Sequence, residues 1–222
     1  MIEKPRDIFL KGCNEITAPL LLQGFKAKQK GQTVSKKPSK DITLEIYFQS
    51  SHYNDKNSIE IIPHIRVYSK AVKEFDITAY KNEYCSGIVY TKQLCYILSS
   101  EYKTWDLAKP NYSPTVSELQ KAITDTVLPI FEVFYGSPEE IIQQSGKHGL
   151  HISLSYFLAF GYKDLAQQVL QTRINQSPHK KQYMNLYKSL SDTDKNTIDP
   201  KYNEFVGAGE IKMAYLQGLK LK

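Results

Sequence analysis

Two imidazoles three residues apart, in His148-Gly-Leu-His151, come nearest to a metal-ligand pair in this sequence. On one face of a helix that spacing can hold a zinc ion. No glutamate follows His148 in the zincin manner, Gly149 weakens a helix at that point, and no third ligand is marked. The expectation is a pair of surface or capping histidines and no metal. Nucleophilic catalysis needs a serine or cysteine beside a base and an orienting group. Cys85 and Cys95 carry no such local signature, and Gly-x-Ser-x-Gly is absent. Asp192-Thr-Asp194 lacks the remainder of a calcium loop, so a polar connection between helices is the simpler reading. Gly207-Ala-Gly209 follows no strand and lacks the lysine–threonine pair of a phosphate loop, so it reads as a helix start. The chain is therefore expected to be no enzyme and to need no cofactor.

Charge gives a sharper signal. Residues 21–40 hold six lysines (Lys26, Lys28, Lys30, Lys36, Lys37, Lys40) and no acid, and this stretch equals the net charge of +6 of the whole chain. Such a patch can meet nucleic acid or steer association with an acidic protein surface. It can also guard a sheet edge against aggregation. Only three arginines occur, Arg6, Arg66 and Arg173, and arginine is the usual residue for bidentate phosphate and base contacts. The contact residues expected are Lys26, Lys28, Lys30, Lys36, Lys37, Tyr47 and Arg66.

The elements that must position these residues follow from periodicity. Phe9, Cys13, Ile16 and Leu20 predict a helix over 6–22, kinked at Pro19 and closed by Gly24. Three strands are predicted next: Phe25–Val34, with Lys26, Lys28 and Lys30 on one face; Ile42–Gln49; and Ile59–Tyr68. Pro63 in the third implies an edge position or a bulge. Ser50–Ser58 is a hairpin loop. Lys70–Tyr84 is mixed and fits neither period. Gly87–Leu98 reads as a fourth strand leading into Ser100-Glu-Tyr-Lys-Thr-Trp105. From Ser113-Pro114, a predicted cap and first-turn pair, the chain reads as helical. Val116, Leu119, Ile123, Val127, Ile130 and Phe134 form one stripe, and Ser137-Pro-Glu-Glu140 is a capping box. Further helices are predicted at about 150–160, 163–175, 178–190 and 208–220.

The fold expected is α+β: a mostly antiparallel sheet of three to five strands covered by helices, with a helical C-terminal part. An α+β domain over 1–145 and a helical extension over 146–222 are the expected divisions. No apolar run reaches the length of a membrane span, and Met1-Ile-Glu-Lys-Pro-Arg-Asp is charged and lacks the apolar stretch of a signal peptide. No membrane association and a cytoplasmic location are expected. Cys13, Cys85 and Cys95 are too few and scattered for a disulfide framework and read as buried free thiols.

Gly24–Lys28, Phe48–Ser51, Trp105 and Leu128-Pro-Ile-Phe131, in that order, resemble the pattern of an uncharacterised bacterial domain family over roughly residues 6–145. The helical tail beyond about 148 departs from that pattern. The resemblance carries over no catalytic residue. The resemblance implies the context of immunity proteins encoded beside secreted toxins. The function expected is a non-catalytic bacterial binding protein that neutralises a cognate toxin by covering it, with tyrosine anchors and lysines facing an acidic surface. The alternative is a nucleic-acid-binding protein that uses residues 26–40.

Overall fold

The computed structural model describes residues 3–99 and 101–221. Met1 and Ile2 of the charged N-terminal stretch, Ser100 of the tryptophan segment, and Lys222 lie outside the described residues. In chain order the helices are α1 (Pro5–Leu21), α2 (Lys70–Tyr80), α3 (Leu94–Leu98), α4 (Tyr112–Ala122), α5 (Leu128–Glu132), α6 (Pro138–Lys147), α7 (Leu154–Ala159), α8 (Lys163–Gln176), α9 (Lys180–Ser189) and α10 (Ala208–Leu216). The strands are β1 (Lys26–Lys28), β2 (Thr33–Lys36), β3 (Ile42–Ser50), β4 (Glu60–Ser69), β5 (Ile88–Gln93) and β6 (Trp105–Asp106). The chain divides into two compact units, Met1–Ser69 with Ile88–His151, and Lys70–Gly87 with Ile152–Lys222.

The first unit is an α+β layer built on an antiparallel sheet in the order β1-β2-β3-β4-β5, with β6 also pairing with β4. Alternation decides its faces. Ile42, Leu44, Ile46 and Phe48 of β3 and Ile61, Ile65 and Val67 of β4 are buried. The residues between them on β3 are half-buried or exposed. On the helical side Phe9, Cys13, Ile16 and Leu20 of α1 are buried, as are Val116, Leu119, Ile123, Val127, Phe131 and Phe134. Phe25 stacks on Phe131 with ring centres 6.0 Å apart, which ties the start of β1 to α5. Burying side chains of this size contributes about 1.5–3 kcal/mol each.

The α+β class and the helical C-terminal part are as the periodicity predicts, and several local expectations are corrected. The first helix runs from Pro5 to Leu21 with Pro19 inside it, close to the predicted 6–22, and Gly24 (φ 86°) lets the Phe25 N–H reach back to the Leu20 carbonyl at 3.2 Å. The strand predicted over Phe25–Val34 is two short strands joined by a tight 3-10 turn, Gln29–Gly31, in which Gln29 (φ 49°) and Lys30 (φ 56°) are left-handed. Lys30 therefore leaves the strand face shared by Lys26 and Lys28. Pro63 is on neither an edge nor a bulge. It sits in central β4 opposite Phe48, where β4's other neighbour changes from β5, ending at His64↔Gln93, to β6, starting at Ile61↔Trp105. A residue without an N–H is tolerated where that ladder is interrupted. The irregularity of β4 lies instead at Val67/Tyr68. Lys70–Tyr80 is a helix, and the segment predicted as the fourth strand turns helical at Leu94. Asn111, not Ser113, occupies the cap position of α4. The capping box at Ser137 and Glu140 forms as predicted, with both reciprocal bonds present.

Asp106 closes the β6 side of the sheet. Its carboxylate accepts from the Ile59 and Ala108 backbone N–H groups (2.8 and 2.9 Å) and from the Asn111 amide (3.2 Å). Burial pushes its carboxyl up, but these three bonds outweigh it and hold the group below its ordinary value.

The second unit is helical. Tyr156, Phe157, Leu170, Ile174, Ile211, Met213 and Ala214 are buried in it. Lys212 is also buried, and its ammonium meets the Glu204 carboxylate at 2.7 Å and the Tyr202 and Asp199 carbonyls at 2.8 and 3.3 Å. A buried cation satisfied on three sides reads as a structural strut.

The turn between β1 and β2 docks on α1 through Asn14, whose amide donates to the Leu10 and Lys30 carbonyls. Gly31 has φ 88°, and a Cβ built there would lie 2.1 Å from Asn14 Oδ1. Gly31→Ala is expected to lower unfolding free energy by about 1–3 kcal/mol, read as a reduced midpoint in urea with an unchanged slope.

Candidate functional site

The strand registers assemble a continuous polar row on the sheet face opposite the helices. Lys26, Ser35, Glu45, Arg66 and Thr91 stand opposite one another across β1 to β5. Lys28, Thr33, Tyr47, His64 and Gln93 form the next row. Side chains on neighbouring strands at paired positions are in contact range, so ten residues distant in sequence become one surface.

Four of the seven contact residues expected from sequence fall in these rows: Lys26, Lys28, Tyr47 and Arg66. Lys30 is in the left-handed turn, and Lys37 is exposed beyond the end of β2. Lys36 pairs with core-facing Leu44 and so has the opposite orientation. Its ammonium lies 5.7 Å from the Phe25 ring centre and 5.4 Å from that of Tyr135, covering the edge of the core. The lysine cluster is thus divided between the two sides of the sheet.

The centre of the rows is held rigidly. The Arg66 guanidinium lies 4.6 Å from the Tyr47 ring centre and 3.5 Å from Glu45 Oε1. The Tyr68 hydroxyl donates to the same oxygen at 3.0 Å. Tyr47 and His64 are neighbours with ring centres 5.9 Å apart, and His64 Nε2 is 2.8 Å from Gln49 Oε1. Lys28, Gln29, Thr33, Glu45, Tyr47 and Arg66 line a concavity of about 300 Å³. The Thr33 hydroxyl donates to Gln29 Oε1 at 3.1 Å along its wall. Glu45, His64, Tyr68 and the two hydroxyl residues of β2 were not among the expected contacts. Alternation places Glu45 and Tyr47 on one face from sequence alone, but their neighbours emerge only with the registers.

Burial pushes the Tyr68 phenol up, and the Glu45 carboxylate beside it adds to the effect. His64 is lowered from its ordinary 6.5, first by burial and then by the Arg66 charge. These shifts mark a face partly withdrawn from water, with the Glu45 and Arg66 charges set side by side at its centre.

The other candidates stand apart from this face. Helix α6 ends at Lys147, His148 occupies its C-terminal cap, and Gly149 turns left-handed (φ 63°), so His148 and His151 do not share a helix face. Among the described residues, no group of three or more His, Cys, Asp or Glu side chains is placed to hold a metal ion. Cys13 and Cys95 are buried free thiols, and burial raises Cys13 to about 12. Cys85 is only half-buried, contrary to the expectation of burial for all three. Asp194 caps a short 3-10 turn, and Gly207 (φ 89°) starts α10. Among the described residues no helix is long and apolar enough to cross a membrane.

Residues 16–133, just over half of the chain and including the whole sheet, match the family model of the domain of unknown function DUF4304. The chain belongs to this family. Comparison with curated proteins and with solved structures gave no match.

A folded pKa below the unfolded value means that the unfolded chain takes up the His64 proton first as pH falls. The His64 contribution is therefore complete above about pH 6.5 and is lost as pH drops through the folded value. Arg66→Ala is expected to move the NMR-monitored His64 titration back toward 6.5, but only part of the way, because burial remains.

Proposed function

We propose that this chain is a non-catalytic binding protein whose open sheet face docks an acidic protein surface. The biological setting that fits is a cytoplasmic bacterial immunity protein that covers its cognate toxin. The observation that carries the reading is Arg66, held between the Tyr47 ring and the Glu45 carboxylate at the floor of a concavity with Lys28 in its lining and Lys26 in the adjacent row. Arginine and tyrosine, pre-ordered and half-buried, are the residue types that dominate binding energy at protein interfaces. Because Glu45 and Tyr68 already fix Arg66, little side-chain freedom remains to be lost on association. Lys26 and Lys28, exposed beside it, supply the long-range field that steers a carboxylate-rich partner onto the face.

The mechanism is occlusion. A carboxylate of the partner enters the concavity toward Arg66 and Lys28, and the surrounding polar rows exclude water around it. One feature counts against nucleic acid: the Tyr47 ring, which a base would need for stacking, is already covered by a guanidinium.

The test is co-expression with the product of the adjacent gene. A stable complex and protection of the host from toxicity are expected. Arg66→Ala is expected to weaken the complex by about 2 kcal/mol, about thirty-fold in Kd. Absence of both complex and protection overturns the proposal. Salt-sensitive binding of DNA or RNA that is lost on Lys28→Glu would replace it with the nucleic-acid reading.

A further inference from the structure

The two ends of the sheet differ in what they offer to another strand. β1 is three residues long, carries exposed Lys26 and Lys28, and runs straight into a left-handed turn, so it is a poor template. β5 is six residues long and ends the sheet on the other side. Half of its backbone N–H and C=O groups face away from β4, and no strand among the described residues pairs with them. A cleft of about 530 Å³ opens along this strand, bordered by Tyr90, Thr91 and Lys92. Its apolar lining comes from Ile97, Ile130 and Leu150, and its polar lining from Lys92, His148 and His151. No carboxylate lines it.

We propose that this cleft binds an extended acidic peptide segment of a partner protein, which adds as a strand to the free edge of β5. Main-chain hydrogen bonds to β5 provide affinity that is indifferent to sequence, and alternate side chains of the segment provide selectivity. The side chains that point into the cleft meet both chemistries. An aliphatic group packs against Ile97, Ile130 and Leu150, and a carboxylate meets the Lys92 ammonium and the ring N–H donors of His148 and His151. The left-handed Gly149 between the histidines lets the chain reverse after α6, which puts both rings beside the same cleft. Charge selects the occupant. Three nitrogen-bearing side chains without a compensating carboxylate favour an acidic segment and disfavour a basic one. Thr91 is the one residue this surface shares with the two polar rows of the open face, and the inference does not rest on the function proposed for that face.

The full chain, labelled with 15N, is titrated with capped hexapeptides. One alternates valine and glutamate, one alternates valine and lysine, and two are valine–glutamate peptides N-methylated at alternate amides in the two possible phases. The valine–glutamate peptide is expected to bind saturably, with shifts concentrated in residues 90–93 and 148–151. The lysine peptide is expected not to bind, and one N-methylated phase is expected to lose binding while the other retains it. Lys92→Glu is expected to weaken binding about ten-fold, and Lys37→Glu, at an exposed position beyond β2, to leave it unchanged. No binding, equal binding of both N-methylated peptides, or loss of binding on Lys37→Glu instead of Lys92→Glu overturns the proposal.

Discussion

Nine register pairs, from Ile42↔Ser69 to Ser50↔Ile61, join β3 to β4, and the first unit depends on that single pairing. It sets Leu44 against Val67 and Ile46 against Ile65 on one face, and Glu45 against Arg66 and Tyr47 against His64 on the other. Because side chains alternate with period two, a slip of one residue would exchange these sets. A slip of β3 would send Glu45 and Tyr47 into the core and bring the fully buried Leu44 and Ile46 to water. The cost of burying an unpaired charge added to the loss of apolar burial makes that register inaccessible. The same constraint that builds the core therefore builds the polar face.

The character of that face follows from how its charges are tied. Glu45 engages both Arg66 and Tyr68, so its negative charge is largely neutralised within the face. Lys26 and Lys28 lie exposed on the short outer strand, and the net field of this region is positive. A surface that is rigid at its centre and positively charged at its margin suits association by charge complementarity and contact. The segment matched to the DUF4304 family, residues 16–133, holds the whole sheet of this chain, whereas residues 134–222, including most of the second unit, lie beyond it.

Period and capping chemistry made much of the fold legible before any coordinates. The alternation of β3, the stripe from Val116 to Phe134 and the Ser137 box are local signals, and each survives in the structure, except that Phe131 is buried where Ile130 was expected and Ile130 is half-buried. The failures share one cause, which is tertiary context acting on short segments. Nothing local distinguishes Lys26-Ala-Lys-Gln-Lys30 as a strand from a strand that turns at Gln29, because the turn is stabilised by Asn14 on a distant helix. Pro63 reads as an edge marker, yet an interruption between β5 and β6 accommodates it in the centre. For the candidate site, Lys26, Lys28, Tyr47 and Arg66 were identifiable by type and alternation. Glu45, His64 and Tyr68 became part of it only through pairings of positions about twenty residues apart. Lys36 shows the limit of reading charge runs, since its ammonium serves the core edge through Phe25 and Tyr135.

The central claim is that the open sheet face, and not the lysine run as such, is the binding surface. Hydrogen–deuterium exchange of the full chain, alone and in complex with the adjacent gene's product, tests it most directly. The account expects slowed exchange on complex formation in β1, β3 and β4, around residues 26–28, 45–47 and 64–68, with residues 36–40 little changed. Protection confined to residues 36–40, or falling wholly within the second unit, would contradict it.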